Sequence, residues 1–315
     1  WETVVDLLFA HCRLIHDSAS NAQKNPCGVH DQDLRRMWGE LATISAMHFD
    51  FASPGAAYDF APSLVQKIVK NGTEKCLAAG RMLGETPETF PLERFVDFTS
   101  RLVADNCIIE RCSQAAWEEA EKANFDKKED KPGFGKQTEQ WYGIDYFLNS
   151  IDPEVVKGWQ GAPTDSYVTI DHSSLQLPGP NLFIPRTLEL CDELPEEAKL
   201  GPRIEKEIDP PNLLVDENGF GRLWHRLDDR YALPKATMTF LLRNAAVENG
   251  LEYGTWQHDV NASIHSSILS GLFSQALKQE TYDADLAGLS WGLSTSSSGI
   301  TLSCGGYSDR LPDLA

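Results

Sequence analysis

The sequence contains no long apolar run and has little positive charge, and each absence excludes a class of function. No apolar stretch approaches the ~18 residues that a membrane-spanning helix requires, so we predict no membrane span. The 315 residues include 28 Lys and Arg against 47 Asp and Glu, which gives a formal net charge of -19. Because such a surface repels a phosphate backbone, we expect no nucleic acid partner.

Cysteine does not occur in the patterns of a disulfide framework or a zinc ribbon. The seven cysteines are an odd number without a Cys-x-x-Cys pair: Cys12, Cys27, Cys76, Cys107, Cys112, Cys191 and Cys304. We therefore expect the protein in a reducing intracellular compartment, and we favour the cytosol. The hydrophobic content of 41% is that of a globular protein with a core.

The segment 282–309, YDADLAGLSWGLSTSSSGITLSCGGYSD, is the best-specified part of the chain. Apolar and small residues alternate on either side of a Ser-rich turn, which predicts a β-hairpin with one apolar face. Upstream, apolar residues from Val260 to Leu277 recur at helical spacing. Gly288 stands where the helix that follows would need a left-handed C-terminal residue. We predict a long helix, a short helical turn and then the hairpin.

The predicted secondary structure of the remaining chain changes from helices to a loop and then a linker. Residues 1–85 are predicted to be almost wholly helical, with Asp31 as the N-cap of the second helix. A further helix begins at Pro91 and leads to 107–112, which we predict as a core strand. Residues 117–122 could be helical, but the charges and the Pro-Gly pair at 127–133 lead us to predict an exposed loop over 113–137. Trypsin would cut it first at Lys127, Lys128 or Lys131. Residues 161–220 hold eight prolines and predict a linker.

Two more strands are predicted, at 223–227 and 236–243, and residues 228–234 join them. Together with the closing hairpin they give four strands and one long helix. This pattern is typical of an α+β layer in which an antiparallel sheet packs against helices.

None of the polar clusters nominates a catalytic residue or a metal ligand. His11 and His16 are five apart, and His258 and His265 are seven apart, which are poor separations for binding one ion on a helix. Asp228 and Asp229 could serve as an acid–base pair, but adjacent side chains diverge, so we expect them to cap a turn and pair with Arg230 or Lys235. Gly305 and Gly306 lack the rest of a phosphate loop and predict a bulge or sheet edge where another group approaches closely. The predicted structural positions are Asp228, Asp229, Pro234, Gly288, Gly305 and Gly306.

Two long ungapped stretches carry a family resemblance. Residues 222–236 (RLWHRLDDRYALPKA) and 282–312 resemble the third domain of insulysin-type proteases, the M16 zinc metallopeptidase family. Residues 138–143 (TEQWYG) and 180–185 (PNLFIP) resemble the end of that family's second domain and the linker after it. The resemblance is weak before residue 89 and absent near 113–137.

The resemblance implies a fold and a set of domains. The fold would be α+β layers of the LuxS/MPP-like metallohydrolase type, with both domains incomplete. Residues 1–160 would be the later part of a helix-rich domain with a charged insertion at 113–137. Residues 161–220 would be the Pro-rich linker, and 221–315 the first part of a following non-catalytic domain. The chain would then be a fragment of a longer protein.

The resemblance also implies that the parent protein hydrolyses peptides with zinc, a reaction that this chain would not perform alone. The family binds zinc through an inverted His-x-x-Glu-His motif, and none of the eight histidines here follows a Glu. Zinc is therefore expected in the parent's catalytic domain, and no cofactor is expected in this chain. Its partners would be the remaining domains of the parent and the parent's peptide substrates, with this chain forming wall and hinge of an enclosed chamber. The alternative is a catalytically inactive M16-like structural or binding subunit, and the presence of the inverted motif in the parent would distinguish the two.

Overall fold

The computed structural model describes residues 1–52, 56–79, 89–126, 135–162, 164, 171–190, 209–217, 221–242, 260–296 and 299–315. The chain forms two compact units. The first consists of Trp1–Met37 with Glu88–Gly179, and the second of Trp38–Pro87 with Pro180–Ala315. No helix within the described ranges is long and apolar enough to cross a membrane.

Helices dominate the first half of the chain and strands the second. The helices are α1 (Glu2–Lys24), α2 (Val29–Asp50), α3 (Ala57–Asn71), α4 (Leu92–Thr99), α5 (Gln114–Asp126), α6 (Pro153–Trp159), α7 (Val260–Leu277), α8 (Tyr282–Leu286) and α9 (Leu311–Leu314). The strands are β1 (Gly135–Thr138), β2 (Asp145–Leu148), β3 (Asn212–Glu217), β4 (Gly221–His225), β5 (Lys235–Leu242), β6 (Ser290–Ser296) and β7 (Gly299–Tyr307).

The core of the first unit lies around Trp159, at the end of α6. This side chain is only 1% exposed and stacks on Phe9 of α1, with ring centroids 6.0 Å apart. Helix α6 begins where Asp152 accepts a hydrogen bond from the Glu154 N–H at 2.9 Å, a normal N-cap with Pro153 at the first helical position. The Arg13 guanidinium donates to the Trp159 carbonyl and fastens the end of α6 to α1.

A separate hairpin of the first unit pairs β1 with β2 in antiparallel register, from Gly135 opposite Leu148 to Thr138 opposite Asp145. Helix α5 packs on it through Trp117 and Phe147, whose ring centroids are 4.7 Å apart.

The sheet of the second unit has three strands in the order β5-β7-β6, all antiparallel. Helix α7 packs on β6, where the Phe273 ring meets the Trp291 ring edge-on at 5.8 Å and Ser270 donates to the Leu293 carbonyl at 2.8 Å. This arrangement confirms the long helix, the short helical turn and the closing hairpin predicted from the sequence. The Ser-rich turn at 297–298 lies outside the described residues.

Strands β3 and β4 form their own antiparallel hairpin, with a register shift between Leu213 and Val215. The prediction that β4 would extend the sheet of β5 and the closing hairpin was therefore wrong. Strand β3 lies within the range that we predicted as linker, and it offers β4 a partner adjacent in the chain. A local antiparallel partner needs only a short turn, so its loop-closure entropy is small.

Two predictions in the first unit were wrong. Residues 107–112 form no strand, and the Ile108 side chain is 96% exposed. A short apolar run becomes a strand only where another strand pairs with it, and periodicity does not report that partner. Residues 114–126 form helix α5 instead of a loop, because Trp117 anchors one face of it on Phe147. The predicted trypsin sites at Lys127, Lys128 and Lys131 lie outside the described residues.

One smaller prediction also needs correction. Asp31 is not the N-cap of α2, because it lies inside the helix, where its carboxylate accepts the Cys27 N–H at 3.0 Å and pairs with Arg35 at 3.0 Å. The end of α2 packs with the closing hairpin, since Met47 shares a buried cluster with Tyr307. The boundaries at 160 and 220 describe domains of the family, so they remain predictions.

Candidate functional site

A buried hydrophobic cluster of the second unit lies at the point where α8 ends, β6 begins and β7 ends. We call this the Tyr307 junction and define it by Met47, His48, Gly288, Gly306 and Tyr307. It contains two of the six structural positions predicted from the sequence, and a third, Gly305, adjoins it in β7.

Gly288 ends α8 in the left-handed conformation predicted for it, with φ of 81°. Its N–H donates to the Asp285 carbonyl at 3.1 Å, and the next N–H, of Leu289, donates to the Ala284 carbonyl at 3.0 Å. These two bonds form a Schellman motif, in which a residue with positive φ satisfies the last carbonyls of the helix. The motif turns the chain directly into β6 and places Leu289, only 2% exposed, in the core.

Gly306 lets the backbone after α8 lie against β7. A Cβ at Gly306 would stand 2.7 Å from the Gly288 carbonyl oxygen and 2.8 Å from the Leu289 Cα, both too close for real atoms. Its φ of 136° is also a backbone conformation that residues other than glycine rarely adopt. The close approach predicted at Gly305 and Gly306 is therefore present at Gly306. It occurs in the central strand of the sheet, where the pairing with β5 includes both glycines and the pairing with β6 reaches Gly305, with no bulge at either glycine.

Tyr307 is buried beneath the end of α2, with 1% of its surface exposed. Its hydroxyl donates to the Met47 carbonyl at 3.2 Å, and its ring meets Phe51 edge-on at 6.1 Å. The Lys235 ammonium lies 5.0 Å from the centre of the Tyr307 ring and 3.3 Å from the Phe51 carbonyl oxygen. Burial, and to a lesser extent the Asp50 carboxylate, raises the pKa of the Tyr307 phenol. Tyr307 therefore anchors strand β7 to α2 as a neutral hydrogen-bond donor.

The segment 181–186 is fastened beside this junction. The Asn181 amide donates to the Asp283 carbonyl at 2.8 Å, and its own oxygen accepts the Phe183 N–H at 2.9 Å. The Arg186 N–H donates to the Asp309 carboxylate at 2.8 Å. Thus α8 and the end of β7 are both tied to the same stretch of chain.

The loop between β4 and β5 holds the other predicted structural positions. The Asp228 carboxylate accepts the Arg230 N–H at 3.1 Å and pairs with its guanidinium at 3.4 Å. Burial opposes ionisation of Asp228, but the hydrogen bonds from Arg230 outweigh it and lower the pKa of the carboxyl group. Asp229 is buried, and the Pro234 carbonyl accepts the Ser308 N–H at 3.0 Å. The structural roles of these six positions remain predictions until substitutions test them.

Sequence reasoning did not identify Tyr307, Met47 or Asn181. Tyr307 directly follows the glycine pair, so an aromatic residue at the strand end was a usable signal. Asn181 lies two residues before the N–H that it accepts, which is the spacing of an Asx turn. Met47 had no such signal, because its partner lies 260 residues away.

Zinc does not fit the residues of the chain that the structure describes. Nowhere in those ranges do three His, Cys, Asp or Glu side chains group closely enough to hold a metal ion. His16 bonds to the Thr99 hydroxyl at 3.1 Å, and His258 lies outside the described residues.

Comparison with known proteins assigns the family. The model of the middle or third domain of peptidase M16 matches residues 49–315. The chain belongs to the peptidase M16 family. It is 32% identical to the human insulin-degrading enzyme over 178 residues, which cover 56% of this chain and 15% of that protein. It is 33% identical to a putative zinc protease, mug138, of Schizosaccharomyces pombe over 174 residues, 55% of this chain and 15% of that protein.

Longer matches extend over more of this M16 chain at lower identity. A nardilysin-like protein of Arabidopsis thaliana is 24% identical over 279 residues, covering 87% of this chain and 23% of that protein. The crystal structure of pitrilysin matches 99% of this chain and 27% of its own, with a TM-score of 0.58 and 19% identity. The fold is therefore α+β of the M16 type. The matched part of the chain spans 15% of the length of the human insulin-degrading enzyme.

Proposed function

We propose that this chain is a non-catalytic middle portion of an M16 zinc metalloendopeptidase that degrades peptides, and that it forms chamber wall and scaffold. The proposal is supported by the M16 family match and by relatives whose names are insulin-degrading enzyme and zinc protease. The remaining domains of that peptidase would be its partners, and zinc would be held outside the residues described here.

One observation carries the proposal: the residues of the two resembling stretches are used for packing. Gly288 ends a helix, Gly306 leaves room for the neighbouring backbone, and the Tyr307 hydroxyl donates a hydrogen bond to a main-chain carbonyl. The Asp228 carboxylate is likewise engaged with Arg230. Glycine has no side chain that could activate a substrate or water, and the Tyr307 hydroxyl is buried and bonded to a main-chain carbonyl.

The test is a direct measurement of metal and turnover on the purified chain. After dialysis against a mild chelator, elemental analysis should find no stoichiometric zinc, and a fluorogenic peptide should not be cleaved when zinc is added. A zinc hydrolase needs at least three protein ligands that converge on one open position. Retention of about one zinc per chain, or turnover that disappears when His258 or His265 is replaced, would contradict the proposal.

A second experiment tests the scaffold role in a complete enzyme. Residues 221–315 would replace the matching part of an active M16 peptidase, with and without the substitution Gly306→Ala. We expect the first chimera to retain zinc and activity. The chimera with Gly306→Ala should yield less folded protein, and its total activity should fall by the same factor. Activity and zinc content per folded molecule should be unchanged. A fall in activity per folded molecule would instead place the junction in the chemistry.

A further inference from the structure

We propose that the turn between β1 and β2, residues 139–144, is a docking site for an arginine-bearing polypeptide segment. This aromatic turn presents Trp141 and Tyr142 with 82% and 84% of their surfaces exposed, and Ile144 beside them with 62% exposed. Trp, Tyr and Arg are the residues that dominate binding energy at protein interfaces, and tryptophan is the ring that binds cations best. The proposal is independent of the proposed proteolytic function, because it concerns binding by this chain alone.

The aromatic turn is held in shape before any partner arrives. The two carboxylate oxygens of Glu139 accept the N–H groups of Trp141 at 2.8 Å and Tyr142 at 2.6 Å. The Glu139 N–H in turn donates to the Ile144 carbonyl at 2.8 Å, and Gly143 completes the turn with φ of 66°. A partner would therefore not bear the entropic cost of ordering this backbone, which favours binding by a short segment.

Glu139 supplies the charge that selects a cation. An ionised carboxylate has about four lone-pair positions, and the two backbone bonds leave acceptor positions on both oxygens. Two exposed aromatic side chains, two and three residues after that carboxylate, would add cation–π attraction to its charge-assisted hydrogen bond. A guanidinium fits this combination better than an ammonium, because it is planar, weakly hydrated and able to stack on a ring.

Acidic side chains outnumber basic ones in this hairpin and in helix α5, which argues for a cationic partner over a second copy of this chain. Helix α5, which packs on this hairpin, carries Glu118, Glu119 and Glu121 against Lys122. The only lysine of β1, Lys136, is already paired with Asp145 at 2.8 Å. Two copies of a chain with net charge -19 repel each other, whereas a basic segment is attracted.

The experiment uses the full chain, labelled with nitrogen-15, and a short acetylated and amidated peptide with two arginines separated by a leucine. The peptide should shift the amide signals of residues 139–144, and its affinity should fall as sodium chloride rises from about 50 to about 300 mM, because screening weakens attraction between charges. A peptide with citrulline in place of both arginines has the same shape without the charge. It should bind about tenfold more weakly or worse.

Matched substitutions locate the binding. Trp141→Ala should weaken binding of the arginine peptide about tenfold or more. Trp224→Ala, a substitution at another exposed tryptophan, should leave the affinity for this peptide unchanged. Trp141 is so exposed that its loss should not unfold the chain, and circular dichroism would check this. Equal affinity for the citrulline peptide, or an unchanged affinity in Trp141→Ala, would overturn the proposal. If sedimentation detects self-association of the unsubstituted chain and none of Trp141→Ala, the occupant of the turn is a second copy of this chain, and the proposal is overturned.

Discussion

Two hairpins of the second unit carry apolar strands, and only one of them is covered. In β6–β7 the chain buries Cys304 and Tyr307 to 2% and 1% exposure, and α7 packs on β6. In β3–β4 every residue is exposed, including Leu223 and Trp224 at 54% each. Fully burying a large apolar side chain contributes about 1.5–3 kcal/mol, so the first hairpin supports the stability of the unit and the second contributes little.

The difference comes from what lies next to each hairpin. The helix end before β6, with its left-handed glycine, brings the backbone of α8 against β7, and the end of α2 covers Tyr307. Hairpin β3–β4 has a register shift and no such closing device in the described residues. Strand pairing alone therefore does not determine burial in this fold. The following substitutions test whether the Tyr307 junction carries the stability that the exposed hairpin lacks.

Gly306→Ala should have the largest effect. The new methyl group would meet the Gly288 carbonyl at 2.7 Å in a backbone with φ of 136°, so overpacking and strain act together. We expect a loss of about 3 kcal/mol or more in the free energy of unfolding, measured by urea denaturation followed by tryptophan fluorescence. Gly305→Ala is the matched control, because its methyl group would meet nothing closer than 3.6 Å and should cost under about 1 kcal/mol. Equal costs at the two glycines would contradict the close approach.

Gly288→Val should destabilise the chain by about 1–2 kcal/mol or more, because a β-branched residue tolerates positive φ poorly. The Cβ would also stand 3.0 Å from the Tyr307 ring and 3.2 Å from His48 Nε2. Gly72→Val provides the comparison, since Gly72 also follows a helix with φ of 77° but has open space around it. The difference between the two unfolding free energies measures the contact with Tyr307. If Gly72→Val costs as much, the junction adds nothing beyond backbone strain.

Tyr307→Phe should cost about 0.5–1.5 kcal/mol, the net value of one hydrogen bond, because it removes the donor to the Met47 carbonyl. Since burial raises the pKa of this phenol, the folded state holds its proton more tightly than the unfolded state. The free energy of unfolding should therefore fall as the pH rises above about 10, the ordinary tyrosine value. In urea titrations between about pH 8 and 11, the free energy of unfolding should fall less steeply with pH in Tyr307→Phe than in the unsubstituted chain. An identical slope in both proteins would indicate that Tyr307 ionises without cost.

The sequence was sufficient where the local chemistry was specific. Alternation and a glycine placed after a helix predicted β6, β7 and the left-handed Gly288, because each feature depends on neighbours in the chain. Periodicity failed at 107–112, where the apolar run has no strand partner, and at α5, where a tertiary contact stabilises a charged helix.

The Tyr307 junction itself was only half predictable. The glycine pair indicated that some group must approach closely, and that group is the nearby Gly288 and Leu289 backbone. The partner of Tyr307, however, is the Met47 carbonyl in α2, 260 residues earlier in the chain. Contacts of this range follow from the completed fold and leave no periodic pattern in the sequence. The pairing of β4 with β3 was missed because β3 lies among prolines, which lowered the strand signal around it.

Leu223→Thr should have the smallest effect, under about 0.5 kcal/mol, because an exposed β-branched polar residue suits a strand as well as leucine does. Leu289→Thr, a similar change at a side chain only 2% exposed, should cost about 2 kcal/mol or more and provides the scale for the comparison. Both unfolding curves would be recorded at several chain concentrations. A cost above about 1.5 kcal/mol at Leu223 that grows with concentration would show that β3–β4 is covered by another copy in solution. The same cost without concentration dependence would place a segment of this chain over the hairpin. A negligible cost at every concentration would confirm that strand pairing in this hairpin proceeds without a covered face.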